Sequence, residues 1–553
     1  MADGLLNKAS IILTPTGYKA GTLYNVAPVV EPYEDFDFAR ASVASRVNSS
    51  GLVEMVGRTL SSELVVNGDF ATDSDWNKGT GWSINAGEAI LTNGGGSLSK
   101  TDGIFEVGKT YEFSIEITSI SLGAFSPKTN TGQNIFSSVT LNTVGVHTST
   151  FTVTSGVNLQ IRASGTTTGS IDNVSVKEII DTNNIPRISY DSNGDNGHIL
   201  LEPTSTNLLP YSEDFSEWSK SSGGIGIKPV ITADNVVSPN GVQNAEKVVF
   251  DLNGGGSGDE SVYSLLTQNY TSVNGTTYSL SCYLKGESGG EQIIFDFDSQ
   301  NSNVVTLTNE WVRYTFSKTV STNGSRSIRF GSRGNNSGGT YGSDNPTVYI
   351  WGAQLEALPY ATSYIPTLTG SQEVRATETA TGAGSADLIN STEGVLYAEI
   401  AGLVDADAMD RIISLSDNTT TNRVEMKISN SGSIKGRFDS ASSDITLSEA
   451  GVTASNFNKI ALVWSSGKCG LFINGVKEQE DLTFSTFSSD VLFDLSFKSP
   501  YNDADGSRDF YGKVKALAVF NEALEDDELE LLTGVTNYGS FGELASANGY
   551  TII

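Results

Sequence analysis

ILLEPTSTNLLPYSEDFSEW, running from Ile199 to Trp218, is the stretch that decides how this chain is read. Its second half places Asn207-Leu208-Leu209 ahead of an acidic turn, Asp214-Phe215, and then Trp218. An earlier stretch does the same: Glu63-Leu64-Val65-Val66-Asn67-Gly68-Asp69-Phe70 is followed by Trp76. The chain therefore begins one kind of module twice. Downstream segments repeat in the same order. TYSLSCYLKG from Thr277 parallels TYEFSIEI from Thr110, and NEWVRYTFSKTV from Asn309 parallels HTSTFTV from His147. SIRFGSRG from Ser327 parallels NLQIRASG from Asn158, and TVYIWGAQLE from Thr347 takes the place of SIDNVSVKEI from Ser170. Most of these runs alternate apolar and polar residues, the period of a strand with one buried face, and Gly, Asn and Ser clusters separate them at β-sandwich spacing.

Composition agrees with an all-β chain. The 553 residues exceed what one core organises, and 58 glycines against 13 prolines suit many turns. With 38% hydrophobic and 9% aromatic residues there is enough apolar material for packed cores, which argues against disorder. The 64 acidic residues outnumber 34 basic ones, and a net charge of -30 opposes nucleic acid and anionic membranes. Two cysteines, Cys282 and Cys469, fall in different expected domains and build neither a disulfide framework nor a zinc site. The first residues hold no apolar stretch of signal-peptide length, so synthesis in a cytoplasm is expected, and no run is long enough for a membrane span.

The expected fold class is all-β: tandem β-sandwich (jelly-roll) domains behind an extended N-terminal docking segment. Residues 1–61 form that segment, with a hairpin around Asn48-Ser49-Ser50-Gly51. The first sandwich spans 62–180, a linker 181–206, the second sandwich 207–367 and a second linker 368–390. A third jelly roll covers 391–534 and a tail 535–553.

Resemblances to known families follow from these pieces. NGDF with nearby tryptophans, TYEFSIEI and IDNVSVKEI resemble a carbohydrate-binding-module jelly roll of the kind appended to xylanases and glucanases. The third domain, with Trp464, the hairpin through Gly467, Phe472-Ile473-Asn474-Gly475-Val476 and an acidic helix after Val514 to Phe520, resembles a concanavalin A-like or laminin-G-like domain. The order of FARASVASRVNSSGLVEMV, ILLEPTSTNLLPYSEDFSEW, WGAQLEALPYATSYIPT and a concanavalin-like end is similar to a class of bacteriophage virion proteins, here with the sandwich at 62–180 inserted between the first two pieces. That resemblance implies a location in the virion, other virion proteins as partners through the N-terminal segment, a homotrimer, and surface polysaccharide as ligand.

Site candidates are few. Trp76, Trp82 and Trp218 lie in polar, glycine-containing surroundings where an indole face could stack on a sugar ring, while Trp311, Trp351 and Trp464 lie inside alternating strands and read as core. Sandwiches resembling the first module often carry a structural Ca²⁺ between the opening segment and the final strand, which singles out Asp69 and Asp172 with backbone carbonyls. The acidic run Asn502 to Gly506 is a second cation candidate, and no other cofactor is required. His147 and His198 have no serine or cysteine motif beside them. Two carboxylates suffice for a glycosidase, but the third domain has no strand of alternating acids, and IFDFDSQ at Ile294 is the nearest approach. The reading is a non-enzymatic phage structural protein that adheres to glycans. A polysaccharide-cleaving tailspike and a purely architectural capsid or tail protein are the alternatives.

Overall fold

The computed structural model describes residues 5, 8–27, 35–136, 140–255, 259–297, 303–335, 339–368, 370–404, 410–501 and 508–534. The tail 535–553 and the acidic run at 502–506 lie outside them.

The repeated segments become corresponding strands of two sandwiches. In the first, one sheet runs Gly145–Thr152, Thr110–Leu122, Thr167–Asp181, Glu88–Gly94, Trp82–Asn85. The matching sheet of the second runs Val312–Thr319, Thr277–Gly286, Thr347–Glu356, Gln243–Asp251, Ile227–Val237, in the same order. The facing sheets also correspond: Phe125–Thr129, Leu159–Ala163, Ser97–Ser99, Asn77–Lys78 against Gln292–Phe297, Gly324–Asn335, Tyr263–Ser272, Ser219–Gly223. Alternation explains the packing. Along TYEFSIEI, Tyr111, Phe113, Ile115 and Ile117 are buried while Glu112, Ser114 and Glu116 between them are half-buried on the outer face.

The third sandwich closes with parts of the chain that the sequence reading left outside it. One sheet runs Val476–Asp481, Lys468–Ile473, Asn458–Ser465, Gly394–Gly402, Gly512–Phe520. The far edge of Gly512–Phe520 is then shared end to end by Ala9–Leu13, which pairs with its second half, and His198–Leu201, which pairs with its first. The opposing sheet runs Ser443–Glu449, Ile434–Ser440, Arg423–Ile428, Arg411–Ser416, Asp494–Ser496. Ile11, Leu13, Leu23, Phe36 and Phe38 sit in the same core as Leu396, Leu462 and Leu517. On the outer side of the first sheet, Leu529 and Leu532 of the helix Asp526–Thr533 pack with Ile12, Val395 and Phe520.

Two expectations are corrected here. The N-terminal segment, given as a separate docking unit at residues 1–61, packs on neighbouring domains of its own chain. Its strands complete the third sandwich, and its Ala44–Val47 and Val53–Val56 hairpin brings Val53 against Ala245, Trp351 and Tyr364 of the second. The two linkers are likewise structural. Ser205–Asn207 pairs with Glu373–Arg375, and Thr379–Thr381 pairs with Phe36–Ala39.

These segments converge on a buried ionic hub. Arg40, Arg187, Arg375, Glu202 and Glu378 all have nearly inaccessible side chains. Arg40 Nη1 donates to Glu378 Oε1 at 2.6 Å, Arg187 Nη2 to Glu202 Oε2 at 2.8 Å, and Arg375 Nη1 lies 2.9 Å from Glu202 Oε2. Arg187 also donates to the Ser45 carbonyl at 2.7 Å, and Ser363 Oγ donates to Glu202 at 2.6 Å. The hub thus joins the N-terminal segment, both linkers and the end of the second sandwich. Charges so deeply buried persist only because each is met by several partners.

The first sandwich stands outside this arrangement. Among the described residues, its core draws only on positions between Leu64 and Val176. It joins the rest through a two-stranded ribbon, Arg58–Leu60 against the end of Thr167–Asp181, in the register Leu60 to Ile179, Thr59 to Ile180, Arg58 to Asp181. Gly57 closes the ribbon at φ +88°, where a Cβ would meet the Thr182 carbonyl oxygen at 2.2 Å, so only glycine fits.

Candidate functional site

The tryptophans expected to face solvent do not. Trp76 and Trp82 are each 7% exposed and Trp218 1%, and all three belong to sandwich cores. Each indole Nε1 is satisfied inside the fold: Trp76 donates to the Asn67 carbonyl at 2.8 Å, Trp82 to Gly96 at 3.0 Å and Trp218 to Tyr211 at 3.0 Å. Their rings pack on Phe70, Phe125 and Phe215. The polar neighbours that suggested exposure belong to turns that bend over the rings. Trp76 and Trp218 are counterparts: each donates to a left-handed residue, Asn67 at φ 57° and Tyr211 at φ 54°, and so pins the opening loop of its sandwich. Trp351 and Trp464 are core, as their alternation predicts, and half-buried Trp311 donates to the Val237 carbonyl at 3.0 Å.

Asp172 lies opposite Glu116 across the sheet, and its carboxyl accepts from the Asn173 amide at 2.7 Å. Burial, then the Glu116, Glu88 and Asp69 carboxylates, raise its affinity for a proton. Asp69 sits on an exposed turn. Among the described residues no three His, Cys, Asp or Glu side chains are gathered to hold a metal ion. His198 is buried and held neutral, pushed down to about 4 by loss of solvent. Asp296 of IFDFDSQ is buried and paired with Arg329 at 3.1 Å.

A different place on the molecule gathers functional chemistry. In the third sandwich Val424, Met426 and Phe438 point into the core, so the residues between them, Arg423, Glu425, Lys427, Arg437 and Asp439, line the outer face. Register sets Arg423 beside Asp439, Glu425 beside Arg437, and Asp439 beside Asp444 on the next strand. The charges interlock. Arg423 Nε donates to Asp439 at 2.7 Å and its Nη1 to Glu425 at 3.2 Å, and Lys427 Nζ lies 3.0 Å from Glu425. Arg437 donates from Nε to Asp439 at 2.8 Å and from Nη2 to Asp444 at 3.1 Å.

Where this ladder reaches the sheet edge it floors an open recess of about 540 Å³, walled by Thr420, Thr421, Ser442, Ser443 and Tyr501. The Tyr501 ring is 39% exposed, with the Arg423 and Arg508 guanidinium carbons 4.8 and 4.4 Å from its centroid. A hydrogen bond from Arg423 lowers its phenol. Asp444 is raised, chiefly by the hydrogen bond it shares with Asp439. The result is a near-neutral surface of fixed donors, acceptors and hydroxyls around an aromatic ring. It suits a polyhydroxylated ligand, because the ion pairs hold the side chains in place before binding and lower the entropic cost of ordering them. The sequence reading missed these residues. The signal was present in RVEMK and KGRFD, charged at every second position, but their pairing depends on a register that the sequence does not show.

A family match falls on the same domain. Residues 403–530 match the family model Laminin_G_3, described as the concanavalin A-like lectin/glucanases superfamily. No curated protein matches the chain. Similar solved structures include the CBM40 of a Ruminococcus gnavus IT-sialidase bound to α2,3-sialyllactose, at 20% identity and TM-score 0.24, covering 28% of this chain and 94% of that one. A leech intramolecular trans-sialidase is similar at 23% identity and TM-score 0.23, covering 27% and 24%. Domain 4 of a Geobacillus stearothermophilus arabinanase is similar at 10% identity and TM-score 0.23, covering 28% and 73%.

Proposed function

We propose that this protein is a glycan-binding adhesin of a bacteriophage virion, and that the recess around Arg437, Asp444 and Tyr501 is its sugar contact. One observation carries the reading: the concanavalin A-like match spans the domain whose outer sheet face holds the recess. The virion location rests on the order of sequence segments. Held as a homotrimer, weak single contacts would reinforce one another, since each later contact is intramolecular. The guanidinium-clamped carboxylates favour binding over cleavage, because Arg423 and Arg437 both grip Asp439 and leave it poorly placed to accept or give a proton.

A glycan array with the full-length protein tests this, using Arg437→Ala as the control. Binding to at least one glycan that falls more than tenfold in the variant, with an unchanged melting temperature, is the expected result; one lost charge-assisted hydrogen bond accounts for that size. Reducing-sugar release from a bound polysaccharide would move the protein to the depolymerases. Failure to bind any glycan would leave an architectural role.

A further inference from the structure

The inserted first sandwich does not simply project from the ribbon. Between it and the body, at the root of the ribbon, lies a cleft of about 420 Å³ with two independent walls. Thr110, Thr150, Phe151 and Thr152 face it from the sandwich. Val43, Met55, Pro366 and Leu368 face it from the body, beside the strand Glu373–Arg375. Arg58, Asp181 and Asn183 form its base.

The chemistry of these walls is specific. Arg58 grips Asp181 with two hydrogen bonds, Nε to Oδ1 at 2.9 Å and Nη2 to Oδ2 at 3.1 Å, which leaves Nη1 as a donor. Thr110 and Thr152 share one hydrogen bond between their hydroxyls at 2.9 Å, so acceptor capacity is left over on both. Glu373 and Asn183 are exposed. The apolar side is furnished by Met55, Pro366, Leu368 and Val374, the last 58% exposed. A polar rim and an apolar floor together match a pyranose ring, which carries hydroxyls at its edge and C–H groups on its face. Charge decides the class. Arg58 is paired with Asp181 and the Arg375 side chain is turned into the buried hub, so the exposed carboxylate of Glu373 faces the cleft in a molecule of net charge -30. An anionic ligand is disfavoured there.

We propose that this cleft is a second saccharide site, separate from the recess on the third sandwich, that takes an uncharged sugar and on binding fixes the first sandwich against the body. The site uses both walls, so it exists only while the inserted module is docked.

The test uses the full-length protein with neutral cello-, xylo-, malto- and manno-oligosaccharides at millimolar concentration, and sialyllactose and a uronic acid oligomer as anionic probes. Hydrogen exchange is read at residues 41–44, 110, 150–152 and 373–375, with calorimetry for affinity. The expected result is that at least one neutral oligosaccharide protects both walls, with affinity lowered about tenfold or more by Glu373→Ala and by Thr152→Trp but not by Arg437→Ala, which lies in the other site. Both substituted positions are exposed, and an unchanged melting temperature confirms folding. Protection of neither wall or of one wall only, affinity insensitive to both cleft substitutions, or tighter binding of the anionic probes would overturn the proposal.

Discussion

Arg187 grips Glu378 through two hydrogen bonds, Nε to Oε1 at 2.8 Å and Nη2 to Oε2, across 191 positions of sequence and with both side chains fully buried. This pair fastens the first linker to the second, and Glu378 simultaneously accepts from Arg40 of the N-terminal segment. Replacing Glu378 with Gln would leave two buried guanidiniums short of a counter-charge, and such uncompensated charge costs about 3–5 kcal/mol. Urea unfolding of Glu378→Gln should show that loss, and a change below 1 kcal/mol would mean that water reaches the hub.

The hub also sets acid sensitivity. Burial works against the Glu202 carboxylate, but Arg375 and Arg187 outweigh it and hold the group at about 2. Its unfolded value is about 4.3. The stabilisation is therefore complete above that value and is lost as pH falls toward 2. Melting temperature should decline through this window, and Glu202→Gln should flatten the decline.

A second group acts in the opposite sense. Burial pushes Glu213 up to about 7, against the pull of a hydrogen bond from the Tyr364 hydroxyl, and burial pushes Asp234 up to about 6. Unfolding lets both ionise near their ordinary values, so stability of the second sandwich should fall as pH rises from about 4.3 to about 7 and then level off. Glu213→Gln should make the protein more stable than wild type at pH 8 by on the order of 1–3 kcal/mol, with little change at pH 5. Equal effects at the two pH values would show that Glu213 is ionised in the fold.

Removing residues 1–13 should damage the far end of the chain. Leu13 is fully buried in the core of the third sandwich, and Ala9–Leu13 covers half of an otherwise open strand edge. Leu13→Ala should cost about 2–5 kcal/mol. The truncated protein should aggregate through the uncovered edge; a monomeric truncation of unchanged urea midpoint would contradict the pairing.

The first sandwich should behave as a removable unit. Replacing residues 62–178 with a short Gly-Ser turn should leave the remaining protein folded, since Leu60 and Ile179 are already strand partners. Within the intact chain, Trp82→Ala should lower only this module's stability, by about 3–5 kcal/mol, because the indole fills its core. Circular dichroism and domain-resolved hydrogen exchange read both outcomes.

The sequence by itself determined the all-β class, the duplication and the concanavalin A-like third domain. These rest on local alternation: in TYEFSIEI and TYSLSCYLKG every second residue is apolar, and a strand has no other way to bury one face. Tertiary structure alone decided the rest. Whether Trp82 faces sugar or core depends on how a turn folds over it, and its polar neighbours are the same in either case. That Ala9–Leu13 belongs beside Gly512–Phe520, that Arg40, Arg187 and Glu378 meet, and that Arg437 stands between Asp439 and Asp444 are facts of register and long-range pairing. Alternation fixes which face a side chain takes, but the strand beside it is chosen by packing and by the need to pair every buried charge and backbone group, and for Ile11, Arg40 and Arg187 those partners lie far along the chain.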